Sequence, residues 1–255
     1  MKRFLLLILA LSTSYTGIAL SNNEKKESLI SSNDFIAYWD STSAKFEKLN
    51  IKLQKDFDRY GESEKFLKML FFRSQQYLLD DYNQYASVEE LIETGAFDCV
   101  SGSFLMAVFL DRYGFDYDII ETSFHVFLTV NVEGKKVVLE STDGFTGFIN
   151  DKNEVKAYLT DFEKESKKNP LYLNPEQQLV QNLLQPAIFR AINLQQLKGL
   201  ELFNRAIFYN NQKEYDIAFK KIKEAEKKEE EAAEELKAAE EALLVIPPLE
   251  AQLKE

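Results

Sequence analysis

The chain has 255 residues, 45% of them hydrophobic, which is enough to bury a core in one medium domain with an appendage or in two small domains, and which excludes a disordered polymer. Its 42 acidic side chains outnumber 31 basic ones, and the formal net charge of −11 argues against nucleic acid or anionic lipid as a partner held by long-range attraction. One cysteine and one histidine are present, so no internal disulfide is available.

The first stretch, MKRFLLLILALSTSYTGIALS, reads as a secretory signal peptide: basic Lys2 and Arg3, an apolar run from Phe4, then small residues that fit cleavage after Ser21 with Ala19 at the minus-three position. Ser12, Thr13, Ser14 and Thr16 interrupt the run, leaving it too short to span a bilayer comfortably. No stable membrane insertion is expected after cleavage, and the chain is expected to be exported to the periplasm or secreted. Removal of residues 1–21 takes the net charge from −11 to −13. In an oxidising compartment a lone cysteine is either a buried small hydrophobe or a thiol kept for its reactivity.

Two helices are predicted next, one across residues 32–61 and one across 62–82, with Trp39 packed against the core. A short third helix follows, opened by Ser87 with Glu90 in a capping-box relation. After Gly95, FDCVSGSFLMAVFLDRYG predicts a helix capped by Asp98 and stopped at Gly114, with apolar residues at helical spacing through Phe104, Leu105, Val108, Phe109 and Leu110. Cys99 then lies in the first turn, where exposed N–H groups and the positive end of the helix dipole favour thiolate. Gly102 and Ser103, on the same face, let another backbone or a substrate approach the sulfur.

SFHVFLTVNV and KKVVLEST form an antiparallel hairpin about Glu133 and Gly134. With a two-residue turn, Phe127 faces Glu140, and His125 lies one diagonal step away on the same face. Val126, Leu128, Val130, Val132, Val137 and Leu139 make the opposite, apolar face. Asp143, on the following turn, is the alternative acid to Glu140, whereas Asp98 is a cap. Asn83, Gln84 and Tyr85 are open candidates for a donor to an oxyanion beside the Cys99 N–H.

A cysteine at a helix start, a histidine on a following strand and a carboxylate on the next are the parts of a thiol nucleophile, its base and the group that orients the base. Over residues 60–150 this order resembles the transglutaminase-like superfamily, which shares its core with papain-type cysteine proteases. LIETGAFDCVSG and IIETSFHVFLTVNVEG are similar to a bacterial exported subgroup. The resemblance implies an α+β fold with a small antiparallel sheet packed on a central helix, and catalytic roles for Cys99, His125 and Glu140. Glu140, in the phrase EST, stands where the family usually has Asp in DPT, and no tryptophan stands near Cys99.

Residues 150–169 read as a polar helix or excursion, and a helix is expected from Asn174, with Pro175 in its first turn, to Pro186. The stretch LQQLKGLELFNRAIFYNNQKEYDIAFKKIKEAEKK resembles one tetratricopeptide repeat, with Leu202, Ala206, Tyr209, Ala218, Ile222 and Ala225 at the pattern positions, Arg205 in place of the usual leucine, and no closing proline. A single repeat cannot bury its own face, which leaves open a helical pair packed on the main domain or a peptide-binding arm. The Glu-, Lys- and Ala-rich tail favours a solvated helix. The expected organisation is a signal peptide at 1–21, a transglutaminase-like domain with N-terminal helices at 22–170, a helical region with the repeat-like hairpin at 171–228, and a charged helical tail at 229–255.

The expected function is an exported thiol enzyme that cleaves or transfers amide or isopeptide bonds, with peptide, protein or cell-wall amide as substrate. A catalytically inactive binding or scaffold module in a cell-envelope assembly is the alternative, with a protein partner met through the helical C-terminus. Neither reading calls for a metal or an organic cofactor.

Overall fold

The computed structural model describes residues 31–166 and 188–245. The leader expected at 1–21, the helix expected between Asn174 and Pro186, and residues 246–255 lie outside them. Three helices open the described chain: α1 (Ser32–Thr42), α2 (Ala44–Tyr60) and α3 (Glu64–Tyr77). Residues 32–61, expected as one helix, are therefore two. The break is at Ser43, which leaves helical space at φ −127° and ψ 112° and caps α2 by accepting from the Phe46 N–H. Just before it, the Ser41 and Thr42 hydroxyls both bond the Tyr38 carbonyl, at 2.7 and 3.0 Å. Consecutive short polar side chains compete for the backbone and favour a cap over continuation.

Two short strands, β1 (Asp81–Tyr82) and β2 (Ala96–Phe97), pair in parallel on either side of α4 (Val88–Thr94). The capping box at Ser87 and Glu90 is formed at 3.1 and 2.8 Å, and Gly95 ends α4 in the left-handed region at φ 89°. Next comes α5 (Cys99–Arg112), whose residues from Val100 to Leu110 are all buried. A helix apolar on every side belongs in the centre of a fold. Here α1, α3 and α4 pack around it on one side and the main sheet on the other.

The main sheet is antiparallel, in the order β6 (Phe148–Ile149), β5 (Lys135–Leu139), β4 (Val126–Val132), β3 (Asp116–Thr122), β7 (Phe189–Ile192). Val132 pairs with Lys135 across Glu133 and Gly134, whose φ values are 50° and 74°. Two successive positive φ angles make the tight hairpin turn whose twist suits antiparallel strands. The register, through Leu128 opposite Leu139, carries on to set Phe127 against Glu140. Val126, Leu128, Val130, Val132, Val137 and Leu139 enter the core shared with α5.

The opposite sheet face is covered as well. Helix α6 (Lys152–Ser166) lays Val155, Tyr158, Leu159 and Phe162 over Ile120, Phe127 and Val138. Their spacing is one stripe of a helix. The segment is thus amphipathic, where a polar helix or excursion was expected. Phe127 is fully buried between α6 and the sheet, worth about 1.5–3 kcal/mol of transfer free energy.

Helices α7 (Leu194–Asn211) and α8 (Tyr215–Val245) form an antiparallel hairpin, and α7 packs on α5. Leu197 is fully buried in the main core. The joint also contains charge: Lys198 Nζ meets Glu201 at 2.6 Å and Glu89 at 3.5 Å, and Glu201 accepts the Val88 N–H at 2.9 Å. Burial opposes the lysine's charge, but the two carboxylates outweigh it and hold its pKa above the ordinary value. Along α8, pairs such as Lys223–Glu226 and Lys228–Glu231 run at helical spacing. The molecule is an α+β fold, and among the described residues no helix is long and apolar enough to cross a membrane.

Candidate active site

Cys99 is the first residue of α5, half-buried, with Asp98 as N-cap. The Asp98 carboxylate accepts the Val100 and Ser101 N–H groups at 2.9 and 2.8 Å, and the Ser101 hydroxyl accepts the Asp98 N–H at 2.9 Å. Burial pushes the Asp98 carboxyl up, against hydrogen bonds from Ser101, Val100 and the Tyr85 N–H that pull it down. These bonds fix the first turn of α5, and with it the place of the sulfur, at the end of the helix that favours negative charge.

His125 sits in the tight connection between β3 and β4. Its N–H donates to Thr122 Oγ1 at 2.9 Å, and its carbonyl accepts the Thr122 N–H at 2.8 Å. Glu140 follows the last residue of β5, so the hairpin register brings the two side chains together: His125 Nε2 lies 2.6 Å from Glu140 Oε2. Cys99 lies beside the ring, near enough to act on its charge, and the two residues line one pocket. Burial disfavours the charged ring, but the hydrogen bonds to Cys99 and Glu140 and their charges outweigh it and push the histidine up to about 10.

Every acceptor position of Glu140 is used. Oε1 accepts the Thr142 N–H at 2.9 Å and the Thr142 hydroxyl at 2.6 Å, while Oε2 meets the His125 ring and accepts the Tyr158 hydroxyl. Burial raises the Glu140 pKa, but bonds and charge from His125, with bonds from Thr142 and Tyr158, hold it below the ordinary carboxylate value. Tyr158 is pushed up, first by burial and then by the Glu140 charge, so it stays a donor. Phe162, one helical turn on, stacks on the His125 ring at 5.4 Å and 19°.

No family model, curated protein or solved structure matches the chain. The chemistry rests on the geometry, which gathers Cys99, His125 and Glu140. It does not bring in Asp143, whose carboxylate turns to the Phe145 and Thr146 N–H groups, at 3.0 and 2.8 Å, and to the Thr146 hydroxyl. Gly102 makes room for Ser141 rather than for a substrate: a Cβ there would lie 2.8 Å from Ser141 Oγ. The close approach lets the residue after Glu140 rest on the helix that carries Cys99. Gly147 has a related use, since a Cβ would meet the Glu140 and Asp143 carbonyls at 2.2 and 2.3 Å. Tyr158 and Phe162 were not foreseen, although the stripe Val155, Tyr158, Leu159, Phe162 is visible in the sequence.

Beside the sulfur a pocket of about 300 Å³ opens, bounded by Tyr82, Gln84 and Tyr85 on one side and by Leu200, Phe203 and Asn204 of α7 on the other. Tyr85 holds a positive φ of 69°. Its carbonyl accepts Arg205 Nη1 at 3.1 Å, which ties this unusual residue to α7. Among the described residues no group of three or more His, Cys, Asp or Glu side chains is placed to hold a metal ion.

Proposed function

We propose that this protein is a thiol enzyme of the transglutaminase-like and papain-like type, built on their shared core, that cleaves or transfers amide or isopeptide bonds. The observation that carries the reading is the His125 ring, sharing one pocket with Cys99 and bonded to a Glu140 saturated by Thr142 and Tyr158. A solvated surface pair has no use for four donors on one carboxylate. A base that must carry positive charge during reaction does.

In this mechanism the Cys99 sulfur, as thiolate, adds to the carbonyl carbon, and the C–N bond of the tetrahedral adduct breaks as His125 gives its proton to the departing amine. A thioester remains on Cys99. Water attacks it with His125 now accepting the water proton, the C–S bond breaks, and the acid leaves while thiolate and imidazolium are restored. An amine in place of water gives transfer. Glu140 stays ionised throughout, holding the ring in position and stabilising its charge. Export through the leader at 1–21 places the substrate among peptides, proteins or cell-wall amides outside the cytoplasm.

The test is to mix the protein with p-nitrophenyl acetate and follow nitrophenol release together with intact mass. A rapid acetyl adduct on Cys99, followed by steady turnover that Cys99→Ala abolishes, is expected. No adduct, or acetylation spread over lysines with Cys99 untouched, would contradict the proposal.

A further inference from the structure

Helix α7 presents two adjacent stripes. Lys198, Glu201 and Arg205 anchor it: Lys198 and Glu201 join Glu89 and the Val88 N–H, and Arg205 reaches Glu90 Oε2 at 3.0 Å and the Tyr85 carbonyl at 3.1 Å. Leu200, Phe203, Asn204 and Ile207, the neighbouring stripe, line the pocket that holds Cys99 and His125. Both sets follow helical spacing. The anchor is mostly buried, with Glu201 only 3% exposed, so the wall is held in place rather than laid loosely against the site.

The two carboxylates of the pocket lining are already engaged: Glu121 pairs with Arg190 at 2.7 Å, and Asp98 is spent on the cap of α5. Apart from Cys99 and His125, the rest of the lining is uncharged: apolar at Leu200, Phe203 and Ile207, polar but neutral at Gln84, Thr122 and Asn204. A volume of about 300 Å³ lies at the small end of ligand sites, enough for one amide and a single large side chain. Because the acyl group stays on sulfur while the amine departs, a wall beside the sulfur serves the acyl portion through both half-reactions.

We infer that the C-terminal hairpin is part of the active site, and that α7 selects substrates with an uncharged, apolar side chain next to the attacked carbonyl on its acyl side. This rests on the thiol-enzyme reading above, and the experiment separates the two. Inactivation rates at Cys99 are measured with N-acetyl-leucyl, phenylalanyl, glycyl, aspartyl and lysyl chloromethyl ketones, and in parallel with iodoacetamide, which carries no recognition element. The leucyl or phenylalanyl reagent should react at least about 10-fold faster than the glycyl one, and the charged reagents no faster than glycyl. Phe203→Ala and Ile207→Ala should erase most of that preference, read as the ratio of leucyl to glycyl rates after each is divided by the same variant's iodoacetamide rate. Phe203 is 47% exposed, so its truncation does not threaten the fold. A fast iodoacetamide reaction without apolar preference, or a preference that survives both substitutions, would overturn the inference alone. An iodoacetamide rate equal to that of a free thiol would overturn the nucleophile reading and the inference with it.

Discussion

Replacing Glu140 by Gln removes a negative charge 2.6 Å from His125 Nε2 with little change of size. With charge centres about 4 Å apart and an effective dielectric of about 20, the lost attraction is about 4 kcal/mol. At about 1.36 kcal/mol per unit, this corresponds to about three pK units. The ring, pushed up to about 10 in the native protein, should then titrate at about pH 7 in Glu140→Gln. The chain has a single histidine, so one proton–carbon NMR resonance of the ring reports the titration without ambiguity, and circular dichroism checks that the helices persist. Turnover should fall by orders of magnitude, as it does when a triad carboxylate becomes an amide. A native ring that titrates at its ordinary 6.5, or a variant ring that titrates with the native one, would refute the electrostatic reasoning.

Glu140→Asp, although it supplies the residue more usual in the resembled family, withdraws the carboxylate from the His125 ring and Tyr158, and a steady-state assay should show impaired turnover, while Asp143→Asn should leave turnover nearly intact. Tyr158→Phe leaves a buried carboxylate short of a donor, and urea unfolding should show a loss of about 1.5–3 kcal/mol. Gly102→Ala drives a methyl group into Ser141 and should cost about 1–3 kcal/mol; adding Ser141→Gly should recover most of it, because the offending Oγ and Cβ are gone. The His125–Glu140 pair also sets a pH dependence. The histidine is raised above 6.5 and the glutamate lowered below 4.5, so the histidine's contribution to stability is full below 6.5 and is lost as pH rises through about 10, and the glutamate's is present above 4.5 and lost as pH falls below it. Thermal unfolding of Glu140→Gln across that range should give a flatter profile than the native protein.

Much of the site's frame was legible because short-range chemistry set it. Asp98 before an apolar helix pattern, and Glu133–Gly134 between two alternating runs, fixed the start of α5 and the hairpin register, which together put Cys99, His125 and Glu140 within reach of each other. Glu140 and Asp143 stood three residues apart in the sequence, and only the path of the chain after β5 shows that Asp143 closes its own turn. Tyr158 and Phe162 were hidden among charged neighbours in a segment whose sheet partner could not be known beforehand. Arg205 read as a flaw in a repeat pattern because its partners, Glu90 and the Tyr85 carbonyl, lie 115 and 120 residues away. Strand β7 is four residues long, too short for alternation to speak. Ser43 divides α1 from α2 through hydrogen bonds that compete with helix continuation, a balance composition does not weigh.

The central claim is that His125 makes Cys99 a nucleophile, and the pH profile of Cys99 alkylation tests it most directly. The purified protein is treated with iodoacetamide at graded pH, and the modified residue is located by peptide mapping. Alkylation of native Cys99 should persist below pH 7, and His125→Ala should lose that low-pH reactivity while keeping its fold. Reactivity that rises only in the alkaline range where an ordinary thiol ionises, at about pH 8.5, or a sulfur that reacts only after denaturation, would contradict the account.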